Sequence, residues 1–418
     1  MANILHVTHR YWPVQGGSEQ FVRQIARRQA REGHQVTVVT TTADDFASFW
    51  QREARSLPAG TEQDGAVTVI RIPIRYLPGG AWFFGGVRRL QLLLPPLAAR
   101  LGRFAPYLPE LEQTLRNLGA DWQSIFAWNI TFDGLTTAAC QMAQRCGAQF
   151  LTVPLLHLGE GAQSPVRRFY TMPHQLALLQ QADHIFVLTA VELTYLQTQN
   201  VSPEKMTVVG AAIDPTELAG GDETAFRQKH GLTGPIVAAI GPLTRDKGMV
   251  DLLAAAEGLW QNGRSFDLVL AGTMMPDFAA RLEKLPDPFR PLCHCLGRIS
   301  DQEKRDLLAA MTLLALPSRT DSFGLVLLEA WTYGKPVVAA RAGGLAAVVD
   351  DGENGRLVPF GNVHALSNAI SEILDHAELA HTWGENGRQK TSEYTWDWVY
   401  ENFKKEMAGT ILPSEKTP

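Results

Sequence analysis

Asp321 and Glu329 stand eight residues apart in TDSFGLVLLEAWTYGKP (residues 320–336), on either side of a Phe-Gly pair and in surroundings apolar enough for a core. On one continuous helix, eight residues would put them ~12 Å apart and off one another's face, too far to share a proton. The spacing therefore argues against a general acid–base dyad. It suits a loop-and-helix arrangement instead: Asp321 in the loop at a strand's end, and Phe323 and Gly324 opening a helix whose free N–H groups can cradle a phosphate or sugar hydroxyl. Glu329 then follows roughly two turns along. Carboxylates placed in this way accept hydrogen bonds from the hydroxyls of an extended ligand.

The elements that would hold these groups are legible as alternating patterns. Short β-like runs followed by helix-periodic runs recur along the chain, the signature of an α/β fold with parallel sheets covered by helices. ILHVT (4–8) leads through HRYWPVQGG into SEQFVRQIARRQAREG, where Phe21, Ile25 and Gln29 lie on one helical line beside Val22 and Ala26; HQVTVVT then returns as a strand. PIVAAIG (235–241) crosses PLTRDKG into a helix near MVDLLAAAEGL. TLLAL (312–316) is the strand before PSRTDS, FGLVLLEAWTY the helix, Gly334 its cap, and PVVAA the next strand. Ligands of open parallel sheets bind beyond the carboxyl ends of the strands, so three loops qualify: HRYWPVQGGSE, GPLTRDKG and PSRTDSFG. The first offers Gly16 and Gly17, which allow close backbone approach. The second offers Lys247, with Arg245 beside it, as charge against a departing phosphate without a metal.

Size and charge bound the rest. A chain of 418 residues with 45% hydrophobic content exceeds what one core organises, so two domains are expected. Residues 1–210 hold 18 Lys and Arg against 15 Asp and Glu, and residues 211–418 hold 20 against 28. Seventeen of the 18 cations in the first half are Arg, which grips phosphate and carboxylate in a forked geometry. That count points to an anionic acceptor or lipid surface, although scattered solvated helix faces are the simpler reading. A pI near 6.1 argues against nucleic acid as a partner. Met1 runs into NILHVTH without a charged leader, and no apolar stretch reaches ~18 residues, so the expected location is the cytoplasm. The segment 81–104 mixes Trp82, Phe83 and Phe84 with Arg88, Arg89, Arg100 and Arg103, as peripheral contact with the inner face of a membrane would require. Pro95 and Pro96 forbid a single helix there, and a helix pair packed on its own sheet is the plainer reading. Cys140, Cys146, Cys293 and Cys295 read as reduced packing residues, since Cys293-His294-Cys295 has no second cluster of metal-ligand spacing.

The string PSRTDSFGLVLLEAWTYGKPVVAARAGGLAAVVDDGENGRLV (317–358), with GPLTRDKG, GGSEQF and LGRISDQEKRDLLAA, resembles the retaining glycosyltransferases of family 4, from residue 14 to about 398. The resemblance implies the GT-B architecture, two Rossmann-like parallel-sheet domains facing a central cleft. Residues 1–205 would form an acceptor-binding domain and 206–392 a nucleotide-sugar-binding domain. A helix over 393–410 would pack back toward the first, and 411–418 would be a tail. It further implies that Asp321 holds a hydroxyl of the transferred sugar, that Glu329 holds the ribose hydroxyls and that Lys247 binds the donor diphosphate. Ser322, Phe323, Gly324 and Leu325, with Gly16 and Gly17 across the cleft, would line sugar and phosphates. His157 in VPLLHLGE would stand near the transferred sugar and Arg298 in LGRIS beside the base. His157, Asp321 and Lys247 are thus the expected catalytic groups. Three positions depart from the family pattern: Asp321 replaces the usual Glu, Pro242 stands where a phosphate-binding Arg is common, with Arg245 as its substitute, and Ala347 stands where many members carry Glu.

The expected reaction moves a sugar from a UDP- or GDP-type donor to a hydroxyl of a glycan, glycolipid or small molecule, with no metal or other cofactor. The alternatives are a nucleotide-sugar hydrolase, epimerase or phosphorylase of the same fold, or a noncatalytic sugar-nucleotide binder. An NAD-dependent oxidoreductase fails because no Gly-x-Gly-x-x-Gly follows ILHVT.

Overall fold

The computed structural model describes residues 1–14 and 16–411, so most of the expected tail at 411–418 lies outside the described residues. Two compact units divide the chain. The first takes residues 1–156, 165–210 and the segment from Asp397 on; the second takes 157–164 and 211–396.

The first unit is built on an eight-stranded sheet. Its strands are β1 (Asn3–Val7), β2 (Gln35–Thr41), β3 (Gly60–Asp64), β4 (Val67–Ile72), β5 (Ser124–Trp128), β6 (Gln149–Val153), β7 (His184–Val187) and β8 (Met206–Val208). Their order is β3-β4-β2-β1-β5-β6-β7-β8, and every pair is parallel except β3 with β4 at one edge. The helix Gly17–Arg31 turns Phe21, Val22, Ile25, Ala26 and Gln29 inward, the face its periodicity predicts. Gln29 is buried because it has partners: its amide lies 2.7 Å from His6 Nε2, and the Trp128 indole donates to His6 Nδ1 at 3.0 Å. The C-terminal helix Trp396–Ile411 belongs here from Asp397 on, and Phe403 is its anchor. Fully buried, Phe403 stacks on Phe186 at 4.0 Å and meets Trp128 and Phe21. Burial of a ring this size contributes about 1.5–3 kcal/mol.

The second unit carries six parallel strands: β9 (Ile236–Ile240), β10 (Asp267–Ala271), β11 (Cys293–Gly297), β12 (Leu313–Leu316), β13 (Val337–Ala340) and β14 (Gly355–Val358). The sequences IVAAI, LLAL and VVAA are apolar throughout because helices cover both faces of a parallel sheet. One core cluster joins Val237, Leu252, Leu268, Ala315, Val338, Ile370 and Trp383. The strand order is β11-β10-β9-β12-β13-β14. The order reverses between β9 and β12, paired through Leu313 with Val237 and Leu314 with Ala238. Loops leaving the carboxyl ends of two such strands diverge to opposite faces and open a crevice.

Residues 157–164 depart from the boundary drawn on sequence, which gave them to the first domain. They group with the second unit through the Gly343 N–H, which donates to Gly159 O at 2.9 Å, and through Arg319, whose Nη1 donates to Glu160 Oε1 at 3.1 Å. Among the described residues no helix is long and apolar enough to cross a membrane.

Candidate functional site in the second unit

The loops after β9 (residues 241–248) and β12 (residues 317–324) meet through their backbones at the point of strand reversal. Gly248 makes this possible: its φ is 73°, and a Cβ there would fall 2.0 Å from the Pro317 carbonyl oxygen. On the other side of the second loop, Gly344 N donates to Asp321 O at 3.2 Å, and a Cβ at Gly344 would fall 1.9 Å from Ser322 O. The Asp321 loop is therefore held between two segments that admit no side chain at the points of contact.

This frame brings three of the expected groups together. Lys247 Nζ lies 3.0 Å from Asp321 Oδ1 and donates to Thr320 O at 3.3 Å. His157 completes the cluster. Burial, aided by the Lys247 cation and opposed by the Asp321 carboxylate, lowers the imidazole pKa to about 3. Burial by itself would raise the Asp321 carboxyl; Lys247 foremost, then the Ser318 hydroxyl and His157, outweigh it and hold the group below the usual carboxylate range. At neutral pH Asp321 is thus a carboxylate and His157 an uncharged imidazole, with the Lys247 side chain against the carboxylate. The ammonium can meet developing charge on a phosphate, the carboxylate can accept from a sugar hydroxyl, and the imidazole can exchange a hydrogen bond without bringing in a second positive charge.

Glu329 is placed differently from expectation in one respect. The helix bearing it is Leu325–Thr332, so Phe323 and Gly324 precede it: Gly324 is the N-terminal cap at φ 87°, and Phe323 is buried edge-on against Tyr394 at 5.5 Å. Glu329 is 5% exposed, and its Oε1 pairs at 2.6 Å with Lys304 Nζ from the helix Asp301–Ala310. Its Oε2 is buried without a hydrogen-bond partner among the described residues, which leaves one acceptor for a ligand donor.

The remaining candidates are spread out. Ser322 and Leu325 are half-buried on either side of the Phe323-Gly324 pair. Arg245 is exposed, its backbone N–H donating to Asp277 Oδ2 at 2.7 Å, and Pro242 is exposed in the same loop. Arg298 is exposed just past β11, and Ala347 is exposed on the turn of helix Leu345–Val348. Gly16 and Gly17 belong to the first unit, at the start of the helix Gly17–Arg31.

Two groups escaped the sequence reading. Arg319 binds Asp246 Oδ1 through Nε and Nη2 at 3.0 and 2.7 Å, reaches Glu160 as described, and lies over the Phe360 ring at 4.8 Å. It ties the Lys247 loop and the His157 segment to the Asp321 loop. The available signal was a fork-shaped cation two residues before Asp321, with an Asp beside Lys247. In the first unit, Arg10 Nη2 meets buried Glu19 at 2.6 Å, and His9 stacks on Phe132 at 4.3 Å, just past β1. Burial would raise the Glu19 carboxyl, but Arg10 and His9 hold it below its ordinary range. The signal there was the pair His-Arg directly after ILHVT.

The crevice loops, the two parallel sheets and the ion pair at the strand reversal define an α/β protein of two Rossmann-like units. Residues 16–212 match the Glycosyl transferase 4-like domain, and residues 222–390 match Glycosyl transferases group 1. The chain belongs to the family 4 glycosyltransferases of the GT-B fold. It is 32% identical over 237 residues to D-inositol 3-phosphate glycosyltransferase of Corynebacterium glutamicum, a match covering 52% of this chain and 55% of that protein. The chain spans about half the length of the curated relatives it matches. Among solved structures, sucrose-phosphate synthase from Thermosynechococcus elongatus superposes with a TM-score of 0.75 at 21% identity, covering 98% of this chain and 99% of that one. HepE of Anabaena in complex with UDP-glucose gives 0.72 at 18% identity, with 98% and 100% covered.

Proposed function

We propose that the chain is a glycosyltransferase that moves a sugar from a nucleotide-sugar donor to an acceptor hydroxyl with retention at the anomeric carbon. The observation that carries this reading is the cluster of Lys247, Asp321 and His157 at the strand reversal of the second sheet. In the reading, the Lys247 ammonium takes the charge of the leaving diphosphate, so no metal is needed, and the N-terminus of helix Leu325–Thr332 faces the same phosphates. Asp321 accepts from a hydroxyl of the transferred sugar, His157 stands by as an uncharged partner, and Glu329 offers Oε2 to the ribose. Arg245, Arg298, Ser322, Phe323, Gly324 and Leu325 complete the donor site by backbone or charge. The cytoplasm is the proposed location. The UDP-glucose complex of a structural neighbour supports a nucleotide-sugar donor, and the name of a relative supports a phosphorylated polyol among the acceptors to be tried.

The test is a thermal-shift screen against UDP-, GDP- and ADP-sugars, because a ligand at a hundredfold its dissociation constant adds about 2.7 kcal/mol to stability. A stabilising donor is then incubated with and without sugar and polyol acceptors while nucleotide release is followed. Release that requires an acceptor, with the anomeric configuration kept in the product, supports the proposal. Equal release without acceptor means a hydrolase, and stabilisation without any release means a binder.

A further inference from the structure

Residues 65–109 contain six arginines and no lysine, aspartate or glutamate, in a chain whose net charge is -5. Two of these arginines are structural: Arg71 is buried on Glu62 and Arg88 on Asp133. Arg75 and Arg103 pair at the surface with Glu110 and Glu112, just beyond the stretch. Arg89 and Arg100 are exposed and form no ion pair among the described residues.

The helix Gly80–Leu93 lies in this stretch with its polarity reversed. It buries Val87, Arg88 and Gln91, and turns Trp82 (84% exposed), Arg89, Leu90 and Leu93 (74% exposed) to solvent. Positions 82, 86, 89, 90 and 93 share one helical face, so the outward side is apolar with a single cation. After Pro95 and Pro96 break the helix, Leu94, Leu97 and Phe104 extend the exposed apolar surface. Six of the eleven large apolar side chains exposed among the described residues fall within 82–104. Isolated exposed leucines need no explanation, but a contiguous run marks a docking surface. A second copy of the chain is a poor occupant, because a self-facing interface would set this acid-free surface against itself.

We propose that residues 82–104 dock on an anionic lipid bilayer, with Trp82, Leu90 and Leu93 entering the boundary between headgroups and acyl chains and Arg89 and Arg100 at the level of the lipid phosphates. An aromatic and leucines on the outward face, flanked by arginines and free of acids, match an element lying in the interface plane. The helix has 14 residues, enough to lie on a bilayer and too few to cross it.

Cosedimentation of the full chain with vesicles tests this without reference to any sugar donor. Vesicles of phosphatidylcholine with phosphatidylglycerol should bind the protein at about 0.05 M salt and release most of it at about 0.5 M, and vesicles of phosphatidylcholine alone should bind weakly. Arg89→Gln with Arg100→Gln should weaken binding roughly fivefold per arginine. Trp82→Ser with Leu93→Ser should weaken it about tenfold or more. Both double variants should melt within a few degrees of the parent, because the altered side chains are exposed. Equal binding to the two vesicle types, no binding to either, or binding unchanged in both variants overturns the proposal. A concentration-dependent dimer in sedimentation velocity that Trp82→Ser with Leu93→Ser dissolves assigns the surface to a second copy and overturns it as well.

Discussion

The Lys247 ammonium and the Asp321 carboxylate, 3.0 Å apart, join the loops that follow two neighbouring strands of the second sheet. A diphosphate arriving at Lys247 meets a cation that already has a partner, and binding must exchange one anion for another. Replacing Lys247 by Met should therefore lower kcat/KM by about 100-fold or more, the scale of removing a group that stabilises a charged leaving group. Thermal stabilisation by UDP or GDP should fall in parallel. A loss under threefold would remove Lys247 from the site.

Glu329 and Lys304 make a second test, separable from the first. Lys304→Met leaves the Glu329 carboxylate buried without its cation and should cost about 1–3 kcal/mol in chemical denaturation, below the roughly 3–5 kcal/mol of fully buried pairs because Lys304 is 29% exposed. Glu329→Gln keeps the shape and an acceptor oxygen, so its cost in stability should be smaller while donor affinity drops about tenfold. Equal stability of Lys304→Met and the parent would mean that the pair is not held in solution.

The buried histidines set the acid side of the stability profile. Burial lowers His6 to about 4 and His9 and His157 to about 3, against roughly 6.5 in the unfolded chain. Below pH ~6.5 the unfolded chain takes up protons that the folded one refuses. The stability these groups contribute is therefore present above that pH and declines as pH falls toward 4. His6→Gln should flatten that limb by up to one proton in the slope of stability against pH, whatever it does to the plateau. In activity profiles, His157 should contribute no ionisation between pH 5 and 8.

Glu192 acts in the opposite direction. It sits in the first turn of helix Ala190–Thr198, where Thr189 caps its N–H and its own Oε2 accepts from Leu188 N at 3.3 Å. Burial raises its carboxyl to about 8. The folded group keeps a proton that the unfolded one has lost above pH ~4.5, so its contribution is complete below that pH and is lost as pH rises through 8. Glu192→Gln should remove this decline, so that the variant gains on the parent between pH 5 and 8. A constant difference across that interval would count against a protonated Glu192.

Gly248→Ala tests the frame. The added methyl would fall 2.0 Å from the Pro317 carbonyl at a φ of 73°, so both strain and overlap oppose it. A loss of about 2–4 kcal/mol is expected. Gly263→Ala, at φ 80° with open space around the site, should show only the backbone penalty, about 1 kcal/mol.

The sequence carried the α/β pattern because strands such as IVAAI and VVAA are covered on both faces and read as uninterrupted apolar runs, each ending at a glycine- or proline-marked loop. It also led to Lys247 and Asp321, since both follow such runs directly. Longer-range facts were not visible. Glu329 and Lys304 are 25 residues apart on two helices, and nothing local in either helix announces the other. The helix starts at Leu325, after Gly324 at φ 87°, and the ring that buried Phe323 meets, Tyr394, lies 71 positions away. The allegiance of residues 157–164 rests on Gly343 and Arg319, each contributed from far along the chain.

That last segment bears on how the molecule can be taken apart. The polypeptide passes between its units after residues 156, 164, 210 and 396, so no single cut yields two complete halves. A fragment starting at residue 211 would lack His157 and the Glu160 anchor of Arg319, and a fragment ending at 210 would lack Phe403 and leave Phe186 and Trp128 facing a void. Chimeras that trade one half for a homologue's must therefore import the short 157–164 insert with the second sheet and the terminal helix with the first, a four-junction graft rather than a simple splice.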